Sequence, residues 1–240
     1  MTAALTHQEI YERIYSAISE RRLLPGMKLS EERLAQTFRT HRARIREVLM
    51  RLNQEMVIEL RANRGAFVAC PTPRDLQDVF DMRRALERAI VIQLAERHGG
   101  QPVVALRSHV QSEDEARASG DRARLAQLTG EFHVQLALIT ENRMFSDTLR
   151  RLSALTSLAI AQYDALAAGA CPPHEHAELV AAIEQGDVKR AERLMLDHLD
   201  HVEQGIQHPT SEPAELDFEQ IFQLPSHRPG PAAKPARKRG

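Results

Sequence analysis

Along the first quarter of the chain the apolar positions recur every three or four residues in short blocks. Ile10, Ile14, Ala17 and Ile18, with Tyr11 and Tyr15 beside them, form one face of a helix expected to stop near Leu24, before Pro25-Gly26. Ser30 is placed to cap a short helix bearing Leu34 and Phe38, with Glu31 and Glu32 at its positive end. A further helix covers HRARIREVLMRLNQE; Ile45, Leu49 and Leu52 make its buried stripe, and Arg42, Arg44 and Arg46 fall on other faces. VIEL and AFVA then flank RANRG, which reads as a hairpin with Asn63, Arg64 and Gly65 in its tip. Helix, short helix, arginine-rich helix and basic hairpin is the order of a winged helix-turn-helix, a fold that sets one helix into the DNA major groove.

From Thr72-Pro73 onward the pattern is helical throughout, punctuated by short breakers. LQDVFDMRRALERAIVIQLAER is one long amphipathic helix ended by Gly99-Gly100 and Pro102. A second covers about 102–118, a third begins at Ser119-Gly120-Asp121 and runs through Ile139, and a fourth runs from Asn142 to about Ala168. Pro172-Pro173 precede a fifth, and Gly186-Asp187 separate it from a sixth over about 188–207. The expected fold is mostly α: a winged helix-turn-helix over 1–70, an all-helical antiparallel bundle over 71–208, and a proline-rich, disordered tail over 209–240.

Composition sharpens this division. The overall net charge of -1 conceals a basic first third, with twelve Lys/Arg against eight Asp/Glu in residues 1–70, and an acidic body, with fifteen against twenty-one in residues 71–208. Nucleic acid is the natural partner of the first part. The N-terminus is amphipathic and polar rather than a signal sequence, and no stretch approaches eighteen apolar residues, so the expectation is a soluble, cytoplasmic protein with no membrane partner. Cys70 and Cys171 lie far apart and are expected to be thiols.

The stretch CPPHEH, Cys171 to His176, gathers residues that hold transition metals. Phase selects among the histidines. His133 shares a face with Leu125, Thr129, Leu136 and Ala137; His176 aligns with Val180 and Ile183; His198 aligns with Ala191, Leu194, Met195 and Val202. All three are expected to point into the bundle, whereas His174 points elsewhere or precedes its helix. A lone inward histidine is ordinarily a hydrogen-bonded core residue, but three together suit a divalent ion such as zinc or nickel.

The runs LPGMKLSEERLAQTF, HRARIREVLMRL and IELRANRGAFV resemble the DNA-binding domain of the GntR family of bacterial transcription regulators over about residues 8–69. EFHVQLALITEN and EHAELVAAIEQGDVKRAERLMLDHL resemble the FCD effector domain of its FadR subfamily. The resemblance implies that Arg42 and Arg46 are the two recognition-helix arginines, and that Asn63, Arg64 and Gly65 belong to the wing. Arg44 and His41 complete the candidate DNA-binding set. It also implies an effector pocket beside a metal held by His133, His176 and His198, with Arg83 pairing a carboxylate. Departures from the family pattern are specific. Arg39 and Met56 stand where glycines are usual, and His41 replaces the Ser or Thr cap, though a neutral imidazole can still accept a backbone hydrogen bond. Thr129 stands where the family has a metal-binding Asp; it is retained as an effector contact, since a hydroxyl is a weak ligand beside a carboxylate. Glu131 is close by but out of phase with His133. Arg84, beside Arg83, is a competing candidate.

These readings converge on a homodimeric transcription regulator, a repressor, that reads a pseudo-palindromic double-stranded operator and responds to a small organic acid. Two rivals remain at this stage. A metal-dependent hydrolase could use the three histidines, although no HExxH or general base accompanies them; a ligand-independent architectural DNA-binding protein would leave the inward polar groups unexplained.

Overall fold

A computed structural model describes residues 5–98, 103–162 and 174–206. The first element, α1 (His7–Ser19), opens with a capping box in which Thr6 and Glu9 satisfy each other's backbone N–H groups. It ends five residues before the expected Leu24. Arg21 turns into the left-handed region at φ 59°, and the N–H groups of Arg22 and Leu23 both donate to the Ala17 carbonyl at 2.8 Å. Leu23 thereby enters the core from a turn, a placement its apolar character alone did not distinguish from a further helical turn.

α2 (Glu31–Thr37) begins at Ser30, whose hydroxyl accepts from Arg33 N at 3.4 Å. α3 (Arg42–Gln54) follows, but His41 makes no side-chain cap bond, contrary to the expectation that its imidazole could supply one. Arg39 and Met56 adopt φ 50° and 61°, the left-handed conformation that favours glycine. These two departures from the family sequence therefore carry local backbone strain.

The wing consists of β2 (Ile58–Arg61) and β3 (Gly65–Val68), antiparallel, with Arg61 opposite Gly65. A two-residue strand, β1 (Lys28–Leu29), adds to the far edge of β3 and was not anticipated from the pattern, because two residues display no alternation. Gly65 sits at φ 93°, and an added Cβ would meet nothing closer than Lys28 Cε at 3.9 Å. Gly65→Ala should therefore cost only backbone strain, about 1–3 kcal/mol by denaturant titration; an unchanged midpoint would contradict it.

Among the described residues six helices form the bundle: α4 (Pro73–His98), α5 (Val104–Ala118), α6 (Arg122–Ile139), α7 (Arg143–Gln162), α8 (Glu175–Gln185) and α9 (Val188–Gln204). Asp121 and Asp187 cap α6 and α9, accepting from the N–H groups of Arg124 and Arg190. Gly99-Gly100 and Pro102, the extension of α7 to Ala168, Cys171 with Pro172-Pro173, residue 207 and the tail from Pro209 lie outside the described residues. Cys70 is a half-buried free thiol.

The apolar residues separate into two principal cores, one under the winged helix and one inside the bundle. α7 serves both: Ala154 and Leu158 join the winged-helix core while Leu149, Leu152 and Leu155 join the other. At this seam the Tyr15 hydroxyl donates to the Arg150 carbonyl at 2.7 Å. The end of α1 is thus held against the bundle.

Candidate functional site

On the winged helix, Arg42 and Arg46 stand one turn apart on the exposed face of α3, with side chains 63% and 59% accessible. Both turn toward Glu31. Arg46 donates to its two oxygens at 3.0 and 2.8 Å, and Arg42 lies 3.7 Å away. The carboxyl of Glu31 is held below its usual range by those bonds. Arg44 takes a different direction, half buried and donating to the Leu5 carbonyl at 3.1 Å, so the structure does not bring it to the face of the other two. His41 is exposed at the helix start; Asn63 (φ 57°), Arg64 and Gly65 are exposed on the wing.

Inside the bundle the three histidines of α6, α8 and α9 converge. His133, His176 and His198 are all buried, and one ring nitrogen from each lies within 4.8 Å of the others. The ring of His176 also stacks on Phe132, with centroids 3.9 Å apart. Each histidine has its own carboxylate partner at Nδ1. Glu87 accepts from His133 at 2.5 Å, Glu113 lies 2.9 Å from His176, and Glu175 lies 2.7 Å from His198. Carboxylates in this position orient imidazoles and raise their basicity as metal ligands.

The donor chemistry fits a cation. With Nδ1 of His133 and His198 donating to carboxylates, their Nε2 lone pairs face one another at 3.2 Å. Two lone pairs at that distance repel unless a proton or metal ion lies between them. Two nitrogens about 2.0–2.1 Å from one tetrahedral ion lie roughly 3.3 Å apart, which the His133–His198 pair matches, while the set that includes His176 is wider, up to 4.8 Å. Burial lowers the pKa of His133 to about 3, against the pull of Glu87, which keeps the ring neutral and suited to ligation. Burial likewise holds His176 well below its ordinary value and raises Glu113 to about 7. Burial also pushes Glu87 upward, but Arg83 and His133 outweigh it and hold that carboxyl at about 2.

Arg83 is 2% exposed and pairs with Glu87 at 2.6 Å while donating to the Thr156 hydroxyl at 3.2 Å. The adjacent Arg84 points away and pairs with Asp200 and Glu203 on α9. Arg83, Thr129 and the three histidines line a cavity of about 290 Å³. The hydroxyl of Thr129 donates to the Ala126 carbonyl of its own helix at 3.2 Å, and Glu131 accepts from Gln127, so neither supplies the anionic ligand of the family pattern.

Sequence reasoning missed the three carboxylates and Arg21, which also lines the cavity. A signal existed for Glu113 and Glu87. Glu113 continues the apolar stripe of Leu106, Val110 and Ala116, and Glu87 falls four residues after Arg83 and three before Ile90, so each places a charge on an apolar face. Arg21 follows the end of α1 and offered no such signal.

A winged helix joined to a helical bundle with a cavity beside buried histidines is the architecture of a DNA-binding regulator. The chain matches the family model for bacterial regulatory proteins of the GntR family over residues 6–68 and that for the FCD domain over residues 78–201. It belongs to the GntR family and has the FadR-like architecture. Among curated proteins it is 30% identical over 131 residues to the Nta operon transcriptional regulator of Aminobacter aminovorans, a match covering 54% of this chain and 61% of that protein. It is 31% identical to a putative HTH-type transcriptional regulator, RmpR, of Mycobacterium gastri, covering 79% and 76% of the two chains. Over 83% of this chain and 88% of its own, the HTH-type transcriptional repressor RspR of Escherichia coli is 22% identical. A solved structure of a putative GntR transcriptional regulator from Rhodococcus sp. RHA1 shares the fold with TM-score 0.72 at 22% identity, covering 83% of this chain and 96% of that one. The family and these relatives are transcriptional regulators, which removes the hydrolase reading: the chain is not an enzyme. The FCD domain implies a small-molecule effector, which disfavours a ligand-independent architectural role. Among the described residues no helix is long and apolar enough to cross a membrane.

Proposed function

We propose that this regulator is a cytoplasmic repressor that binds a pseudo-palindromic operator as a homodimer and responds to a small carboxylate metabolite in the cavity beside the histidines. Residues 1–70 form the DNA-binding domain, residues 71–208 the effector and dimerisation domain, and residues 209–240 a tail outside both. Arg42 and Arg46 read or grip the operator from α3, His41 lies at the helix start, and Asn63, Arg64 and Gly65 bring the wing to the backbone. Arg44, tied to Leu5, steadies the N-terminus of α1 instead. The repressor reading draws on the relative RspR, which bears that description.

The observation that carries the sensor reading is the convergence of His133, His176 and His198 beside Arg83, each imidazole with its own carboxylate. These three side chains would hold zinc or nickel, with Thr129 leaving the fourth position to water or ligand. The ion would supply a Lewis-acid contact for a carboxylate oxygen. Arg83 would pair the same carboxylate, having Glu87 to hold its guanidinium in place.

A thermal-shift titration tests this reading. Zinc or nickel at a hundredfold its dissociation constant should stabilise the wild type by about 2.7 kcal/mol, while His176→Ala should gain little. Equal stabilisation of the two proteins by either ion would overturn the metal assignment.

A further inference from the structure

Buried polar atoms without partners are rare, and several on one cavity require a physical reason. Four such atoms belong to residues lining the cavity beside the histidines: Nη2 of Arg83, Nε and Nη1 of Arg21, and Oγ of Ser153. Arg83 has already committed its other nitrogens to Glu87 and Thr156. Arg21 is different in origin, because it comes from the left-handed turn that ends α1 of the winged helix. Burial lowers its pKa to about 10, with no carboxylate opposing the shift. Taking much of a guanidinium out of water with no counter-charge is unfavourable, and among the described residues no carboxylate pairs with Arg21 at this seam.

The rest of the lining reinforces the imbalance. Arg117 and Arg122 also face the cavity, and Arg117 is paired with Asp114. Asp121 is the one carboxylate among the described lining residues, and its side chain caps α6 through Arg124 N. Of the cationic groups lining the cavity, Arg83 on α4 beside the histidines and Arg21 at the winged-helix seam are the two with buried nitrogens lacking a partner among the described residues. Its volume of about 290 Å³ suits a short-chain ligand and is small for a nucleotide-sized one.

We propose that the effector is a short dicarboxylate, one carboxylate taken by Arg83 beside the histidines and the other by Arg21 and Ser153. The ligand then bridges the bundle and the turn that ends α1, so that its binding acts directly on the DNA-binding domain. This rests on the reading of the cavity as a carboxylate site and adds the second charge. A monoacid of equal length would leave Nε and Nη1 of Arg21 without an acceptor.

The test is calorimetric titration of the nickel-loaded, desalted full chain with succinate, glutarate and adipate, each against butyrate, pentanoate or hexanoate of the same length. At least one diacid should bind about tenfold or more tightly than its monoacid, as hydrogen bonds to a charged group contribute. Arg21→Gln should abolish that preference, weakening the diacid far more than the monoacid, and Arg21→Lys should retain part of it. Melting of the ligand-free variants checks that the fold is intact. Equal binding of diacids and monoacids by the wild type would overturn the bridging proposal and leave the carboxylate cavity standing. A diacid preference that persists in Arg21→Gln would do the same. Absence of binding by every acid would overturn both.

Discussion

Replacing Glu87 with alanine is expected to destabilise the bundle by about 3–5 kcal/mol, because it strips one partner from a buried ionic group. Glu87 is fully buried and accepts from Arg83 Nε at 2.6 Å and from His133 Nδ1 at 2.5 Å. Its removal leaves a guanidinium that is 2% exposed with the Thr156 hydroxyl as its remaining hydrogen-bond partner among the described residues. It also frees the His133 ring to rotate, so metal affinity should fall roughly 10- to 100-fold. Thermal unfolding of the metal-free chain isolates the first effect, at roughly 2–4 °C per kcal/mol for a chain of this size, and metal titration isolates the second. Glu87→Gln keeps an acceptor but not the charge and should fall between alanine and wild type. A metal-free melting temperature for Glu87→Ala equal to that of the wild type would refute the buried pair.

Arg46→Ala should weaken operator binding on the order of 5- to 150-fold for each half-site if the guanidinium makes a bidentate contact to a base. In the proposed homodimer the change occurs twice, so the loss on a complete site multiplies. Arg46 is well placed for such a contact, since it is exposed on α3 and already splayed in fork geometry against Glu31. The Glu31 pair is itself exposed, and pairs of that kind add little to folding, so the variant should remain folded. Gel-shift titration against an operator selected from random duplexes measures the effect. Undiminished affinity on both the selected site and unrelated DNA would remove Arg46 from the interface. A loss equal on both would assign it to phosphate rather than base contact.

Much of the architecture was legible because it is local. The stripes Ile10-Ile14-Ile18 and Ile45-Leu49-Leu52 marked α1 and α3, and the breakers at Ser119-Gly120-Asp121 and Gly186-Asp187 fall where α5 gives way to α6 and α8 to α9. The error at the end of α1 arose because Leu23 is apolar and buried whether it lies on a helix or on a turn. The inward histidines were legible for the same reason as the helices: phase about an axis is a property of spacing along one chain segment, and all three are buried.

What phase does not contain is the rotation and offset of one helix against another. The pairing of Glu87 with His133, Glu113 with His176 and Glu175 with His198 joins helices distant in sequence, apart from the last pair on neighbouring α8 and α9. The same holds for Arg44, which shares a helix with Arg42 and Arg46 but takes its partner from Leu5 at the other end of the domain. By itself the sequence determined the order of elements, the basic winged helix and the inward face of each histidine, since these follow from backbone periodicity and side-chain type. Tertiary packing alone decided that three carboxylates would orient those histidines, and that Arg21 of the winged helix would lie partly buried at the edge of the cavity beside them, because both depend on contacts between segments whose spacing along the chain carries no record of their meeting.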